Sequence, residues 1–273
     1  MKKNISVWTR GFHVAAALGA LLLMFVLCAL PARANLVSNG TFTGCNGSLT
    51  GGCAPANFAI GTSASGTVYN LTNWNISSTS NLHCVAVGNP VTNSALCGAG
   101  WNFGHSSDNL KMFALPGAAP GGGNYVLIDG AAAYSATLSQ SVTGLTIGAS
   151  YTLSFYQSAG QEVLASTGAA SIDYWQVAFG GQTKGSASQN SITVQPGSTT
   201  SPGWQLVTYT FTATAINQTL SFLSVGSGAP PFLFLTGVDL EPVTSTPEPA
   251  TVALVLAGLV AIPAARKRLH KRG

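Results

Sequence analysis

Short segments in which every second residue is apolar recur between residues 35 and 243, and they constrain the fold more than any other feature. One of them carries Tyr151, Leu153 and Phe155. A period of two gives a β-strand one buried and one solvated face, whereas an amphipathic helix needs a period near 3.6. We expect about nine or ten strands from eleven candidate segments, with no amphipathic helix between them. We therefore predict one all-β domain, an antiparallel two-sheet β-sandwich. The segments are 35–42, 67–77, 81–87, 124–130, 136–142, 151–157, 173–179, 192–194, 205–212, 219–225 and 232–240.

The first 34 residues have the pattern of a secretory signal peptide. A positively charged start precedes an apolar stretch, residues 14–30, and Ala32 and Ala34 supply the small side chains of an A-x-A cleavage site. Such a segment is removed after export. We predict a signal helix that is cleaved before Asn35. An uncleaved N-terminal anchor is the alternative, and it exports the rest of the chain equally well.

Residues 244–273 combine a polar motif, an apolar segment and a basic cluster. The motif is Pro247-Glu248-Pro249, and the apolar segment spans residues 250–265. Lys and Arg beside a membrane-spanning helix stay on the cytoplasmic side. We therefore predict a transmembrane helix at 250–265 and a basic stop at 266–273; the alternative is a core helix. The basic side chains are Arg266, Lys267, Arg268, Lys271 and Arg272.

This order of motif, apolar segment and basic cluster resembles the PEP-CTERM sorting signal of exopolysaccharide-producing Gram-negative bacteria. In that family a membrane-bound sorting enzyme, an exosortase, recognises the tripeptide. The resemblance implies an exosortase as partner and processing at or near residues 247–249. It also implies export through the inner membrane, transient anchoring there, and a final location at the cell surface or in the extracellular matrix.

The charge of the exported part excludes one class of partner. The whole chain has a net charge of +4, but only Lys111 and Lys184 are cationic between residues 35 and 249, against seven Asp and Glu, a balance of −5. A weakly acidic domain lacks the basic surface that nucleic acid requires. The same part is rich in Gly, Ser, Thr, Asn and Ala. That composition also fits a disordered stalk, but the alternating segments argue against disorder.

Four cysteines remain after the leader: Cys45, Cys53, Cys84 and Cys97. An even number in an exported chain indicates disulfides, and four cysteines permit three pairings. We favour Cys45–Cys53 and Cys84–Cys97, because each pair closes a short loop rich in Gly and Asn. A zinc site is the alternative, but the C-x2-C spacing is missing. We expect no metal at these cysteines.

The order of segments in residues 35–243 resembles the galactose-binding-like jelly-roll domains of bacterial carbohydrate-binding modules. The matching pieces include NLVSNGTF at 35–42, LSQSVTGLTIGASYTLSFY at 138–156, GWQLVTYTFTA at 203–213 and LFLTGVDLEPV at 233–243. The resemblance implies a jelly-roll ectodomain. Family members hold a structural calcium with carboxylates near the opening and closing pieces. Here Thr43 follows the opening piece, which leaves Asp239 as the candidate ligand. We expect no other cofactor.

Catalytic motifs are sparse. His105, Ser106 and Asp108 are neighbours in sequence, but a catalytic triad is assembled in space and local adjacency gives the wrong geometry. The chain has no G-x-S-x-G nucleophile motif. Nothing in the sequence pairs two carboxylates for glycoside cleavage. We therefore predict no catalytic residue.

Aromatic side chains are the remaining candidates for a site, since they stack on the apolar faces of sugars. In a sandwich most of them belong to the core. We single out Trp101 and Tyr134 as glycan-binding residues, because they lie in loops rich in Gly, Asn and Ala. The full set of candidates is Trp74, Trp101, Tyr134, Tyr174, Trp175 and Trp204.

These patterns together predict an exported, non-enzymatic surface or matrix protein. Its role would be structural or adhesive in an exopolysaccharide or biofilm layer, with weak binding of neutral polysaccharide. One alternative is a secreted hydrolase that acts on extracellular polysaccharide or peptide; another is a structural spacer without ligand. The hydrolase requires a convergent acid/base pair in a cleft, whereas a binding protein requires exposed aromatic side chains on one concave face.

Overall fold

The structure is a computed structural model, and it describes residues 34–46, 58–59, 61–62, 68–77, 83–86, 115–161, 170–185, 192–195, 201–228 and 231–243. In this part of the chain it contains fifteen β-strands and no α-helix. The strands are β1 (Cys45–Asn46), β2 (Phe58–Ala59), β3 (Gly61–Thr62), β4 (Val68–Leu71), β5 (Asn75–Ser77), β6 (His83–Ala86), β7 (Tyr125–Asp129), β8 (Thr137–Thr143), β9 (Ser150–Gln161), β10 (Ser171–Phe179), β11 (Gln182–Lys184), β12 (Ile192–Val194), β13 (Gln205–Thr212), β14 (Asn217–Ser227) and β15 (Pro231–Pro242).

Two six-stranded antiparallel sheets hold most of these strands. The first, which we call the β9 sheet, has the order β13-β9-β15-β7-β6-β2. The second, the β10 sheet, has the order β11-β10-β14-β8-β5, and β12 also pairs with β10. A small third sheet has the order β1-β4-β3. The predicted all-β class and the antiparallel pairing are thereby confirmed.

The two large sheets pack face to face around an aromatic core. Phe155 of β9 meets Phe222 of β14 edge to face, with the ring centroids 5.1 Å apart. The indole N–H of Trp175, on β10, donates to the carbonyl of Phe234, on β15, at 3.2 Å. Along β10 and β14 every second side chain is buried, as the period-two alternation predicts. Edge-to-face aromatic contacts add to the stabilisation that comes from burial alone.

The opening segment, residues 35–42, corrects the sequence analysis. It is predicted as a strand, but the structure forms turns there. Asn39 has a left-handed backbone (φ 54°), and its side-chain amide donates to the carbonyls of Gly44 and Thr72 at 2.8 and 3.0 Å. Asn adopts such a conformation more readily than most residues, and its side chain competes with strand pairing for backbone partners. The predicted strand at 35–42 is therefore wrong, and Asn39-Gly40, a dipeptide of the kind that favours turns, lies within these turns.

Several predictions fall outside the described residues. These are the signal peptide up to residue 33, Cys53, Cys97, Trp101, and the sorting tail from residue 244 onward. Cys45 lies in β1 of the small sheet and Cys84 in β6 of the β9 sheet, and both disulfides stay predictions. In the part of the chain that the structure describes, no helix has the length and apolar character needed to cross a membrane.

Candidate functional site

A groove of about 540 Å³ opens where β5 begins beside β8. Its volume falls in the range of roughly 300–1,000 Å³ that is typical of small-molecule sites. Amide and hydroxyl groups dominate its lining, and none of the lining side chains is ionisable. The lining residues are Ser38, Leu71, Asn73, Trp74, Asn75, Ile76, Gln140 and Ser141.

Gln140 fixes the walls of this groove. Its side chain is buried, and its amide nitrogen donates to the carbonyls of Ser38 and Asn73 at 2.8 and 2.9 Å. Its side-chain oxygen accepts from the backbone N–H of Ser38 at 2.8 Å. One side chain of β8 therefore joins the opening turns to the turn before β5. Buried polar networks that are fully satisfied make a site rigid.

Trp74 belongs to the core beneath the groove and not to an open stacking platform. It is only 4% exposed, and its ring lies 5.5 Å from Phe42 and 6.2 Å from Phe222, centroid to centroid. Its indole N–H donates to the carbonyl of Asn39 at 3.1 Å. Trp175 is fully buried as well. The expectation that most tryptophans of the sandwich are core residues is confirmed at these two positions.

Asn73 and Asn75 are the exposed amide residues of the groove, and Ser38 and Ser141 are its exposed hydroxyl residues. Asn73 has a left-handed backbone (φ 66°) and lies in a tight turn. The backbone N–H of Trp74 closes this turn by donating to the carbonyl of Leu71 at 3.2 Å. A side-chain amide offers two donors and an acceptor, which suits adjacent hydroxyl groups. The sequence analysis missed these residues. The signal available was an Asn directly before a buried Trp, but nothing local shows that residues 38, 73 and 140 meet.

Tyr134 is exposed, as its loop position predicts. Its side chain is 47% accessible, and its backbone N–H donates to the Ala131 carbonyl at 2.8 Å in the turn between β7 and β8. It does not line the groove. The second aromatic residue singled out from the sequence, Trp101, lies outside the described residues. Its role stays a prediction.

Trp204 joins an aromatic cluster on the outer side of the β9 sheet. Its ring lies 5.6 Å from Tyr125 and 6.5 Å from Phe234, and the last two are 5.4 Å apart. Tyr125 and Phe234 are fully buried, and burial raises the pKa of the Tyr125 phenol. Within the described residues the buried polar atoms Tyr125 Oη, Ser158 Oγ and Trp204 Nε1 have no hydrogen-bond partner. The three rings pack against one another, and Trp204 is the partly exposed member of this cluster.

Two carboxylates are buried at one end of the sandwich. Asp129 ends β7 and accepts from the backbone N–H of Ala131 at 2.6 Å, so it serves the turn at Gly130. Asp173 is fully buried on β10, and neither of its oxygens has a hydrogen-bond partner among the described residues. Burial raises the pKa of Asp173 to about 8; the nearby Ser171 hydroxyl, which lies outside hydrogen-bond geometry, opposes this rise, and the negative charge of Asp129 adds to it. Because neither carboxylate is accessible, this pair cannot reach a glycosidic bond.

Asp239 and Glu241 are the partly exposed carboxylates of β15. Burial and the neighbouring charge of Glu241 raise the pKa of Asp239. They lie on one face of a single strand, whereas glycoside cleavage places two carboxylates on opposite sides of the bond. Calcium takes six to eight oxygen ligands, and within the described residues no three His, Cys, Asp or Glu side chains come together. A structural calcium at Asp239 therefore stays a prediction.

Comparisons with known proteins give low similarity. No family model matches the chain, and no curated protein does either. Among solved structures, the enzymatically active domain of tailspike protein 4 from bacteriophage CBA120 is 12% identical with a TM-score of 0.36; the match covers 77% of this chain and 21% of the tailspike. TmCBM61, solved with β-1,4-galactotriose, is 15% identical with a TM-score of 0.35, over 77% of this chain and 99% of the module.

A third similar structure is the CBM22-1 xylan-binding domain of Xyn10C from Paenibacillus barcinonensis. It is 11% identical with a TM-score of 0.31, and the match covers 75% of this chain and 99% of that domain.

Proposed function

We propose that this chain is an exported, non-catalytic surface or matrix protein whose jelly-roll, galactose-binding-like sandwich binds neutral polysaccharide weakly. Its role is structural or adhesive in an exopolysaccharide or biofilm layer of a Gram-negative bacterium. A PEP-CTERM sorting system delivers it, with an exosortase as partner and with transient anchoring through residues 250–265. The support for delivery comes from the tail: Pro247-Glu248-Pro249, an apolar segment and a basic cluster.

The observation that carries the binding proposal is the lining of the groove. Asn73, Asn75 and Ser141 are exposed, uncharged hydrogen-bonding residues in a cleft with no ionisable side chain. Sugars present many neutral hydroxyls, which such groups can donate to and accept from. Proteins bind acidic sugars with Arg or Lys through charge-assisted hydrogen bonds. Among the described residues, Lys184 is the one Lys or Arg side chain. A neutral polysaccharide therefore fits this surface better than an acidic one.

The competing proposal, a hydrolase, needs an accessible acid/base pair. In the described part of the chain, Asp129 and Asp173 are both buried, and Asp239 and Glu241 sit side by side on one strand. None of these four carboxylates lines the groove. The described residues thus favour binding over cleavage.

Removing the groove amides should weaken polysaccharide binding. Asn73→Gly keeps a residue that tolerates the left-handed backbone, and Asn75→Ala truncates an exposed strand residue. Since a net hydrogen bond contributes about 0.5–1.5 kcal/mol, each variant should lose roughly two- to tenfold in affinity. Affinity electrophoresis in galactan, dextran and hydroxyethyl cellulose measures the change.

Thr208→Ala, at an exposed position on β13 away from the groove, is the matched control and should bind as the wild type does. Trp101→Ala and Tyr134→Ala test the loop aromatics predicted from the sequence. If those two weaken binding while the Asn73 and Asn75 variants do not, polysaccharide binds at the loops and the groove is not the site.

The mature protein recovered from its host should end at or near Pro249. Recognition of the tripeptide by a sorting enzyme implies loss of the apolar segment and the basic cluster that follow it. Intact-mass spectrometry of the extracellular protein locates the end. Recovery of mature protein that still carries residues 266–273 would refute processing, although anchoring by residues 250–265 would stand.

A further inference from the structure

Three uncharged turns lie together at one end of the sandwich, which we call the isoleucine end. They join β8 to β9 (residues 144–149), β10 to β11 (residues 180–181) and β13 to β14 (residues 213–216), and none of their side chains is ionisable. The strand register brings the turns together, because the residue pairs beside them are Thr143 with Asn217, Ser150 with Thr212 and Phe179 with Leu220. These turns therefore offer no charge to a charged partner.

The two most exposed large apolar side chains among the described residues both lie in these turns. Ile147 is 64% accessible and Ile216 is 60% accessible. Backbone hydrogen bonds join the two turns that carry them: Leu145 donates to the carbonyl of Ile216 at 3.0 Å, and Gly148 donates to the carbonyl of Ala213 at 2.8 Å. The isoleucines are therefore presented side by side on a hydrogen-bonded framework. Exposed apolar side chains that are grouped, unlike single scattered ones, mark an interaction surface.

The chain leaves the sandwich at the same end. The backbone N–H of Val243 donates to the carbonyl of Ser150, where β9 begins, at 2.9 Å, and the Val243 side chain is exposed. The predicted transmembrane segment starts at residue 250, and seven residues of extended chain span at most about 25 Å. The opposite end of the sandwich is farther away, because β8 is seven residues long and spans about 20 Å. While residues 250–265 cross a bilayer, the isoleucine end is therefore the part of the sandwich nearest to it.

We infer that the isoleucine end docks on the phospholipid bilayer that anchors the chain, with Ile147 and Ile216 inserted among the lipid headgroups. This inference rests on the proposed function, on its anchoring through residues 250–265, and adds the orientation of the domain. The partner is a bilayer because the tether holds this end beside one, and because apolar side chains on uncharged turns gain free energy on entering the interface. Tyr134, in the turn before β8, then faces away from the membrane.

The test uses the full chain, reconstituted into phosphatidylcholine vesicles and carrying one photoreactive residue. Ile147→p-benzoylphenylalanine and Ile216→p-benzoylphenylalanine should each form lipid adducts on irradiation, which mass spectrometry detects. Two positions are labelled so that a fold lost in one variant does not decide the result. Leu206→p-benzoylphenylalanine is the matched control, because Leu206 is an exposed aliphatic side chain near the opposite end of β13. The control should form no lipid adduct above background.

A second substitution separates docking from mere proximity to the anchor. If the two isoleucines insert together, Ile147→Ser should lower the yield of lipid adducts at position 216 about five- to tenfold, because serine gains little from apolar burial. Since the turns are uncharged, the yields should be the same in low and high salt.

Alkaline carbonate extraction of the same vesicles measures anchoring independently. If the chain resists extraction but neither isoleucine position forms lipid adducts, or if Ile147→Ser leaves the adducts at position 216 unchanged, docking is refuted and the anchoring stands. If carbonate releases the chain, the anchoring in the proposed function fails and this inference fails with it. Adducts to a second copy of the chain in place of lipid would make the isoleucine end a protein interface. Adducts that need anionic lipid and vanish in high salt would assign the contact to Lys184, and the inference would be wrong.

Discussion

Raising the pH from about 4 to 8 should destabilise this domain, and Asp173→Asn should abolish most of that loss. The folded state raises the pKa of Asp173 to about 8, from an ordinary value of 3.8. Between these values the folded protein holds a proton that the unfolded chain has released. The free energy of unfolding therefore falls as the pH rises, by at most about 1.4 kcal/mol per pH unit, and levels off above the folded-state pKa.

Denaturant unfolding at a series of pH values measures this slope. Asp239→Asn is the matched control: burial and Glu241 raise the pKa of Asp239 in the same direction, but its side chain is partly exposed, so solvent screens the effect. The control should keep most of the wild-type slope. A wild-type protein whose stability increases over this range, or an Asp173→Asn variant with an unchanged slope, would show that Asp173 is ionised in the fold.

Phe222→Ala should cost about 3–5 kcal/mol, which is the usual range when a buried phenylalanine is truncated. Phe222 is fully buried on β14, and its ring centroid lies 5.1 Å from Phe155, 6.2 Å from Trp74 and 6.3 Å from Trp175. It therefore joins the β9 sheet to the segment beneath the groove. The midpoint of denaturant unfolding measures the loss.

Phe222→Leu, which keeps most of the apolar volume, should cost less than the alanine variant. Tyr134→Ala serves as the surface control and should change stability by no more than about 0.5 kcal/mol, because that side chain is exposed. If Phe222→Ala proved as mild as Tyr134→Ala, the two sheets would not share the core described above.

The strands were predictable from apolar alternation wherever one face of the strand is buried and the other is exposed to solvent. The segments 151–157 and 173–179 alternate cleanly, and they lie within β9 and β10. The structure extends β9 to Gln161, where its side chains are buried on both faces and the alternation disappears. The three-residue strand β11 escaped prediction for another reason: a hairpin arm of Gln182, Thr183 and Lys184 has no apolar pattern of its own.

The groove was not predictable from local patterns, because it depends on contacts between distant segments. Ser38, Asn73 and Gln140 are each unremarkable polar residues in sequence, and Gln140 even occupies an inward position of a strand. Only the fold brings the opening turns and the turn before β5 beside β8. There the side-chain amide of Gln140 donates to the carbonyls of Ser38 and Asn73. The exposure of Tyr134, by contrast, followed from its Ala-rich loop, since nothing in that loop alternates.

Incubation of the purified protein with neutral polysaccharides tests whether it binds glycan without cleaving it, if binding and cleavage are measured in the same samples. Galactan, dextran and hydroxyethyl cellulose are the probes; sedimentation with the insoluble forms measures binding, and reducing ends in the supernatant measure cleavage. We expect the protein to sediment with at least one polymer and to release no reducing ends. Release of reducing ends would make the protein a hydrolase, and failure to sediment with any polymer would contradict glycan binding.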